Sequence, residues 1–304
     1  MKLSVIIPVY NAENSIKELV EAVRIEIQTM ELEIVLIDDG SKDGSERICE
    51  GLAREKDFVK FISLRRNFGE HNAVMCGLNY CIGDLAVIVD DDFQNPPSEI
   101  MKLVSEAEKG FDVVYSKYNE KKHTWFRNFG SKFNDYFATK LINKPADLYL
   151  SSFKVINRPM IDEIIRYKGP FPYVDGLLLR ATDNITSVLV AHENRKVGKS
   201  NYTMRKLMSL YLNMFLNFSI RPLRIFTVTG FIVFVIGFIF SILFILEKII
   251  YPATEVGWTS LIVAVITFSG FQIMFLGLIG EYLGKQYLDQ NRTPQWVVKK
   301  EMID

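Results

Sequence analysis

The sequence predicts an α/β protein with a mostly parallel, doubly wound sheet, followed by a hairpin of two transmembrane helices. Two observations carry this prediction. In the first two thirds of the 304-residue chain, short apolar runs alternate with stretches that have apolar residues at helical spacing. In the last third, two long segments contain no charged residue.

The α/β part begins with an apolar strand over residues 3–7, which ends at Pro8. A helix follows over 14–29, with Asn14 or Ser15 as its N-cap. Further apolar runs predict strands over 33–37, 59–64, 85–89 and 111–116, separated by helices over 43–55, 71–81 and 97–109. In a parallel sheet of this kind, ligands bind at the carboxyl ends of the strands.

Polar and acidic residues follow three of these strands. Tyr10 and Asn11 come after the first strand, residues 38–41 (Asp-Asp-Gly-Ser) after the second, and residues 90–92 (Asp-Asp-Asp) after the 85–89 strand. These groups should meet at one edge, where clustered carboxylates favour a divalent cation beside a phosphate ligand. The alternative for the triplet is a solvated acidic turn. Neither a GxGxxG nor a GxxxxGK[ST] motif is present.

Four segments, in this order, resemble family 2 glycosyltransferases: SVIIPVYN, IVLIDDGSKDG, LRRNFGEHNAVMCGL and VDDDFQNPP. The branch that they resemble contains dolichol-phosphate mannose synthase and bacterial polyprenyl-phosphate sugar transferases. The likeness covers residues 1–205, and the branch's Asp-x-Asp-Leu-Gln-x-Pro-Pro motif falls on 90–97, with Phe93 in place of Leu. It implies the nucleotide-diphospho-sugar transferase fold (GT-A, Rossmann-like).

The resemblance also implies the roles of the donor-site residues. Pro8, Tyr10 and Asp39 would hold the nucleoside. Mg²⁺ or Mn²⁺ and the donor diphosphate would be held by Asp90, Asp92 and Gln94. The sequence departs from the family directly after Asn11, where the usual acidic residue is replaced by Ala12 and Glu13 follows one position later. The structural alternative for Tyr10 is an aromatic residue packed on a helix.

Basic residues further along the chain match phosphate-binding positions of the family. Lys117 and Arg127 would contact the phosphate of a polyprenyl phosphate acceptor, and Arg195 would lie near the donor diphosphate. The alternative for each is a solvated surface cation. Lys117 is the weaker match, because an ammonium group cannot contact phosphate through two parallel hydrogen bonds as a guanidinium can.

The implied reaction is an inverting transfer of a sugar from a nucleotide-sugar, with a UDP-sugar favoured by analogy. A phosphate monoester has a second pKa of about 6, so it can attack without a strong base. Some relatives carry an Asp within Gly-Asp-Phe-Arg-Leu, where this chain has Ser-Ser-Phe-Lys-Val at 151–155. Asp147 and Asp175 are the remaining acidic candidates for a base, and Asp92 and Arg127 complete the expected catalytic set.

The charge-free segments at 225–246 and 258–279 predict transmembrane helices. Lys and Arg residues cluster before the first and after the second, which places both termini in the cytoplasm and makes the protein a multi-pass protein of the cytoplasmic membrane. The expected organisation is a cytoplasmic transferase domain at 1–202, an amphipathic interfacial segment at 203–224, and two transmembrane helices with a cytoplasmic tail at 225–304.

The overall charge argues against a nucleic-acid partner, because 36 basic residues balance 36 acidic residues. Relatives with such hairpins often assemble, so the resemblance also allows a homo-oligomer. One alternative function is a membrane-anchored transferase that extends a glycan, although its usual Gln-x-x-Arg-Trp motif is absent. The other is a catalytically inactive membrane scaffold, which the intact 90–94 motif argues against.

Overall fold

The computed structural model of the chain describes residues 1–118, 145, 148–191, 193 and 257–303, together with scattered residues between 228 and 250. The chain divides into two compact units. The first comprises Met1–Tyr202 and Arg292–Asp304, and the second comprises Thr203–Asn291. The first unit is an α/β domain, and the described residues of the second are mainly helical.

One eight-stranded sheet forms the centre of the first unit, in the order β7-β5-β6-β4-β1-β2-β3-β8. β1 to β4 pair in parallel, as do β5 and β7, whereas β6 and β8 are antiparallel to their neighbours. The predicted α/β fold with a mostly parallel sheet is therefore confirmed. The strands are β1 Lys2–Val9, β2 Glu31–Asp38, β3 Val59–Leu64, β4 Leu85–Ile88, β5 Val113–Tyr118, β6 Lys154–Asn157, β7 Ile185–Val190 and β8 Val298–Met302.

Helices cover both faces of the sheet, with one hydrophobic core on each side. Along β1, Leu3, Val5 and Ile7 face one core and Ile6 faces the other, because successive side chains of a strand point to opposite faces. The helices of this unit are α1 Ile16–Glu26, α2 Ser45–Glu55, α3 Glu70–Tyr80, α4 Ile100–Ala107, α5 Arg158–Ile164 and α6 Val174–Ala181.

The sheet opens between β1 and β4. The last register pair of these strands is Ile6 with Ile88, followed by a bond from the Val89 N–H to the Ile6 carbonyl. Pro8 has no N–H to continue the ladder. The strands following β1 in sequence lie on one side of it and β4 lies on the other, so the chain order reverses here. Ligands of doubly wound sheets bind at such a reversal.

The carboxyl-terminal tail belongs structurally to the first unit. Residues 292–304, expected from the sequence to be the tail of the membrane segment, belong to the α/β unit and contain β8, which pairs with β3. Three charged side chains of β8 find partners there. Lys299 and Lys300 lie 2.8 Å and 2.5 Å from carboxylates of α2, and the Tyr80 hydroxyl donates to Glu301 at 2.7 Å.

The second unit contains α7, Trp258–Gln290, and helical residues between 228 and 250. A Cβ atom on Gly230 would lie 3.6 Å from Cζ of Phe275, so these helical parts approach closely at that point. Within the stretches that the structure describes, no helix combines the length and the hydropathy needed to cross a membrane.

Candidate active site

The loop after β4, residues 90–95, is called the acidic loop, and Asp91 holds its first half in place. One carboxylate oxygen of Asp91 accepts a hydrogen bond from the Tyr10 backbone N–H at 3.0 Å. Its carbonyl oxygen accepts one from the hydroxyl of Ser15 at 2.7 Å. Ser15 is the N-cap residue of α1, one of the two predicted, although its hydroxyl makes no cap bond to that helix. The middle carboxylate of the triplet thus fastens the loop to the end of β1.

The second half of the loop is shaped by Asp92 and Phe93. Asp92 Oδ1 accepts the Gln94 backbone N–H at 3.0 Å, which closes a tight turn. Phe93 has a φ of 59°, in the left-handed region, and its side chain is buried in a hydrophobic core. The Gln94 carbonyl accepts the backbone N–H of Glu193 at 3.0 Å. An apolar anchor therefore sits between two polar loop residues, a role that Phe93 fills where the family motif has Leu.

The first carboxylate of the loop, Asp90, contacts a residue that the sequence analysis did not select. The hydroxyl of Ser152 donates to Asp90 Oδ2 at 2.5 Å. Ser152 lies just before β6, which pairs with β4 through Ile88 and Lys154. The antiparallel pairing brings the end of β4 and the start of β6 together, and so it brings these two side chains together.

Asp39, at the end of β2, organises the loop that follows β3. Its two carboxylate oxygens accept the backbone N–H groups of Phe68 and Gly69 at 2.7 Å and 2.8 Å. Gly40 next to it has a φ of 68°, and a Cβ atom there would lie 2.7 Å from the backbone carbonyl carbon of Arg66 and the backbone nitrogen of Asn67. Only glycine allows the two loops to approach this closely. The DDG segment and the RRNFG segment therefore form one joined structure.

The loop after β1 is tied to the loop after β2 and to the start of α2. Asn11, with a φ of 55°, accepts the Lys42 N–H through its side-chain oxygen at 2.8 Å. Glu13 accepts the Gly44 N–H at 2.8 Å, so this carboxylate joins the two loops. Tyr10 is 38% exposed, which does not support the alternative in which its ring is packed on a helix.

Negative potential concentrates at this edge of the sheet. Burial raises the pKa of Asp39 to about 6, partly offset by its two backbone hydrogen bonds. Burial also raises the pKa of Asp38. The pKa of Glu70, the first residue of α3, is raised to about 7 by limited solvation of its carboxyl group and then by the charge of Asp90, even though part of the residue is exposed. Desolvation by burial is the largest cause of all three shifts, and neighbouring carboxylates raise each pKa further.

The carboxylate set fits a shared cation site. Among the described residues, no group of three or more His, Cys, Asp or Glu side chains could hold a metal by itself. Asp90 and Asp92 are two oxygen donors, and protein Mg²⁺ sites beside phosphates commonly use one or two carboxylates plus phosphate and water oxygens. The chemistry of the donors therefore fits a metal that the protein shares with a diphosphate.

A buried hydroxyl network lies on the other side of the loop. Tyr118 donates to the side-chain oxygen of Asn95 at 2.7 Å and lies 2.8 Å from the hydroxyl of Ser151. Ser116 lies 2.6 Å from Ser151 and completes the network. None of these residues was predicted from the sequence. Asn95 and Ser151 fall in segments that the family motifs single out, 90–97 and 151–155, but which side chains meet there depends on the fold.

Several other predicted residues can be placed. Lys117 is exposed on β5 and is in register with Leu189 of β7. Asp175 is buried and forms an ion pair with Lys154 while accepting a hydrogen bond from Tyr115 at 2.9 Å, so its carboxylate is already engaged. The remaining predicted site residues, Arg127, Asp147 and Arg195, lie outside the described residues.

Comparison with known proteins identifies the family. Residues 4–165 match the model of glycosyl transferase family 2. The chain belongs to this family. The match begins within β1 and contains β2 to β6 and the polar residues that follow β1, β2 and β4. It confirms both the resemblance stated above and the enzyme class of glycosyltransferase.

Similar curated proteins extend along almost the whole chain. The undecaprenyl-phosphate 4-deoxy-4-formamido-L-arabinose transferase of Proteus mirabilis is 34% identical over 98% of this chain and 93% of its own length. The protein of the same name from Pseudomonas fluorescens is 34% identical over 98% of this chain and 89% of its own.

A solved structure shows the same fold at low sequence identity. It is glucosyl-3-phosphoglycerate synthase from Mycobacterium tuberculosis, crystallised with Mn²⁺, UDP and glucosyl-3-phosphoglycerate. It matches 71% of this chain and 77% of its own with a TM-score of 0.55 and 17% identity. This likeness concerns the fold.

Proposed function

We propose that the protein transfers a sugar, with inversion, from a nucleotide-sugar to a polyprenyl phosphate at the cytoplasmic face of a membrane. The observation that carries the proposal is the 34% identity to undecaprenyl-phosphate sugar transferases over 98% of the chain. This similarity reaches beyond the transferase domain into the two apolar segments, which a relative sharing only the catalytic fold would not require.

The donor would bind where β1 and β4 separate. Tyr10 and Pro8 lie at the end of β1, and Asp39 fixes the loop at 65–69 that would border the nucleoside. Because both oxygens of Asp39 accept backbone N–H groups, we assign it the shaping of this loop as well as contact with the nucleoside. A UDP-sugar is the favoured donor, in line with the UDP bound by the mycobacterial enzyme of the same fold.

Asp90 and Asp92 would hold Mg²⁺ or Mn²⁺ against the donor diphosphate, with Gln94 beside them. When bound, the metal supplies a Lewis acid that stabilises negative charge on the leaving diphosphate. The chain itself contributes the fixed positions of the two carboxylates, through the Asp91 bonds to Tyr10 and Ser15. A preset loop matters because charge stabilisation works best when the protein does not have to reorganise during the reaction.

The acceptor phosphate would contact Arg127 and Lys117, and its dianion would attack the anomeric carbon. A phosphate monoester needs little help from a base, since its second pKa is about 6. Asp175 is unsuited to act as a base because Lys154 and Tyr115 engage its carboxylate in the interior. Asp147 stays the remaining acidic candidate.

The membrane anchor is proposed from the sequence, with both termini in the cytoplasm. Residues 225–246 and 258–279 contain no charge and would form the hairpin. The length of α7, 33 residues, and the close approach of Gly230 to Phe275 are consistent with two paired helices in the second unit. Assembly into a homo-oligomer also stays a prediction.

The direct test incubates the purified full chain with radiolabelled UDP-sugars, Mn²⁺ and undecaprenyl phosphate. A labelled product that enters the organic phase supports a lipid phosphate acceptor. A labelled water-soluble product instead would point to a glycan acceptor. Failure to bind UDP or any other nucleotide would favour the inactive scaffold.

Two variants separate the donor and acceptor sites. Arg127→Ala should lower the affinity for polyprenyl phosphate roughly ten- to a hundred-fold, since a hydrogen bond to a charged group contributes about 1.5–3 kcal/mol. Its affinity for UDP, measured by calorimetry with Mn²⁺, should hardly change. Arg195→Ala should show the reverse pattern. If Arg127→Ala lowered the affinity for UDP and left the affinity for polyprenyl phosphate unchanged, Arg127 would belong to the donor site and not to the acceptor site.

A further inference from the structure

Two adjacent serines are linked to opposite ends of the acidic loop, Ser152 directly and Ser151 through Tyr118. Ser151 and Ser152 lie in the segment that leads into β6. The Ser152 hydroxyl donates to Asp90, the first residue of the loop, at 2.5 Å. The Ser151 hydroxyl lies 2.8 Å from that of Tyr118, which in turn donates to Asn95 at the far end of the loop.

The Ser151 contact is buried. Ser151 is 4% exposed, Asn95 3% and Ser116 0%. Ser151 also accepts the backbone N–H of Phe153 at 3.1 Å, so the position of its hydroxyl is fixed relative to β6. Burial makes each of these hydrogen bonds costly to lose, because a polar group left without a partner in the interior keeps its full desolvation penalty. The far end of the loop therefore cannot move without breaking the network.

The Ser152 contact acts on one oxygen of a carboxylate. A carboxylate on an aspartate can rotate about its final bond, and a donor on one oxygen restricts that rotation. The constraint sets the direction in which the other oxygen points. Partners of this kind around metal ligands commonly change metal affinity by 10- to 100-fold when they are removed.

We propose that Ser151 and Ser152 are positioning residues that hold residues 90–95 in the conformation that receives the cation. Ser152 orients Asp90 directly, and Ser151 acts through Tyr118 and Asn95. The proposal rests on the proposed function, because it assigns the cation to Asp90 and Asp92. It adds a role to the position at which some relatives have an acidic residue, and here that role is to donate a hydrogen bond.

The test uses the full chain in detergent, with UDP and Mn²⁺ as probes. Ser152→Ala should lower the affinity for Mn²⁺ about 10- to 100-fold, as measured by calorimetric titration at a fixed UDP concentration. UDP affinity in the presence of EDTA should stay within about two-fold, since the nucleoside contacts are unchanged. Ser152→Thr keeps the hydroxyl and should restore most of the Mn²⁺ affinity. Ser105→Ala is the matched control, because its hydroxyl bonds only the Met101 carbonyl on the exposed side of α4.

Ser151→Ala tests the other end of the loop and should also lower the affinity for Mn²⁺. Its affinity for UDP in the presence of EDTA should again be unchanged. If Ser152→Ala does not fold, Ser152→Cys replaces it, since a thiol is a similar shape but a weak donor. Wild-type Mn²⁺ affinity in both folded variants would overturn the positioning role. If Ser152→Thr lost as much affinity as Ser152→Ala, shape and not the hydrogen bond would be responsible, and the proposal would also fail. If UDP bound the wild-type protein without any dependence on Mn²⁺, the metal assignment of the proposed function would fail first.

Discussion

The buried ion pair between Lys154 and Asp175 offers a test of the architecture beneath the site. Lys154 is 3% exposed and Asp175 is 7% exposed. The Tyr115 hydroxyl also donates to Asp175, and the Lys154 ammonium lies 5.1 Å from the centre of the Tyr115 ring. Lys154 is two residues from Ser152 and in register with Ile88, so the pair joins α6 to β6, the neighbour of the strand β4 that precedes the acidic loop.

Lys154→Met removes the cation and leaves Asp175 as a buried anion with Tyr115. Breaking a buried pair in this way costs about 3–5 kcal/mol. For a domain of this size, about 1 kcal/mol lowers the unfolding midpoint by roughly 2–4 °C, so a decrease of about 6–20 °C is expected. The assay is thermal unfolding of the full chain in detergent. Lys109→Met is the control, because its pair with Glu106 is exposed and contributes at most about 1 kcal/mol.

A double variant decides whether the loss comes from the unpaired charge. Lys154→Met combined with Asp175→Leu removes both charges and should recover most of the midpoint, because a buried pair replaced by apolar residues is often close to neutral. A decrease of less than 2 °C in Lys154→Met would refute this reasoning. If Asp175→Asn folded normally and lost turnover while UDP binding was kept, Asp175 would be a base after all, contrary to the role assigned here.

Three further predictions follow from the structure. Asp92→Asn should fold and bind UDP in EDTA like the wild type but lose Mn²⁺-dependent binding in calorimetry; unchanged turnover in Mn²⁺ would contradict the metal role. The pKa of Asp39 is raised from 3.8 to about 6, so the stability it contributes is complete below pH 3.8 and is lost as the pH rises towards 6. Relative to Asp39→Asn, the unfolding free energy of the wild type should fall by about 2 kcal/mol between pH 4 and pH 7, and a flat difference in urea titrations would exclude this. Deleting residues 292–304 should lower the unfolding midpoint, because it removes β8 and exposes the edge of β3, whereas an unchanged midpoint would show that β8 is dispensable.

The first five strands could be predicted from the sequence because each is an almost unbroken apolar run. β3 was predicted with the observed limits, and β1, β2, β4 and β5 within about two residues, which is the usual uncertainty of element ends. These strands are covered by helices on both faces, so their composition alone marks them. Pro8 was taken as the end of β1, but the strand continues to Val9 because β2 still pairs with it there.

The sequences of β6 and β8 are not unbroken apolar runs, so these strands could not be predicted in the same way. β6 begins with a buried lysine whose charge is compensated by Asp175, a contact that no local pattern can reveal. β8 has three charged residues in its five, stabilised by partners on α2 and α3 far away in the sequence. The start of α5 did carry a recognisable signal that the sequence analysis passed over. Asn157 caps the helix by accepting the Met160 N–H at 3.0 Å, and Pro159 occupies its first turn.

The site followed the same division between local and distant information. The family motif pointed to the carboxylates at 90 and 92, but the partners of Asp90 and Asp91 lie 62 and 81 positions away in the sequence. Ser152 reaches Asp90, and Asp91 reaches Tyr10, only because β4 pairs with β6 on one side and with β1 on the other. Motif residues are thus recognisable from sequence, whereas the residues that orient them depend on the order of strands.

The same order explains why three like charges can follow one another at the end of a buried strand. The three carboxylates have different partners: Asp90 accepts from Ser152, Asp91 from the Tyr10 N–H and Asp92 from the Gln94 N–H. The β1–β4 ladder ends before Pro8, which has no N–H to continue it. Beyond this point the Asp91 carboxylate accepts the Tyr10 N–H in place of a strand partner. The Asp91 carboxylate therefore links the segment after β4 to the segment after β1. A divalent cation shared with a diphosphate would offset the charges of Asp90 and Asp92. One short acidic segment can in this way both complete the fold and prepare the site for its ligand.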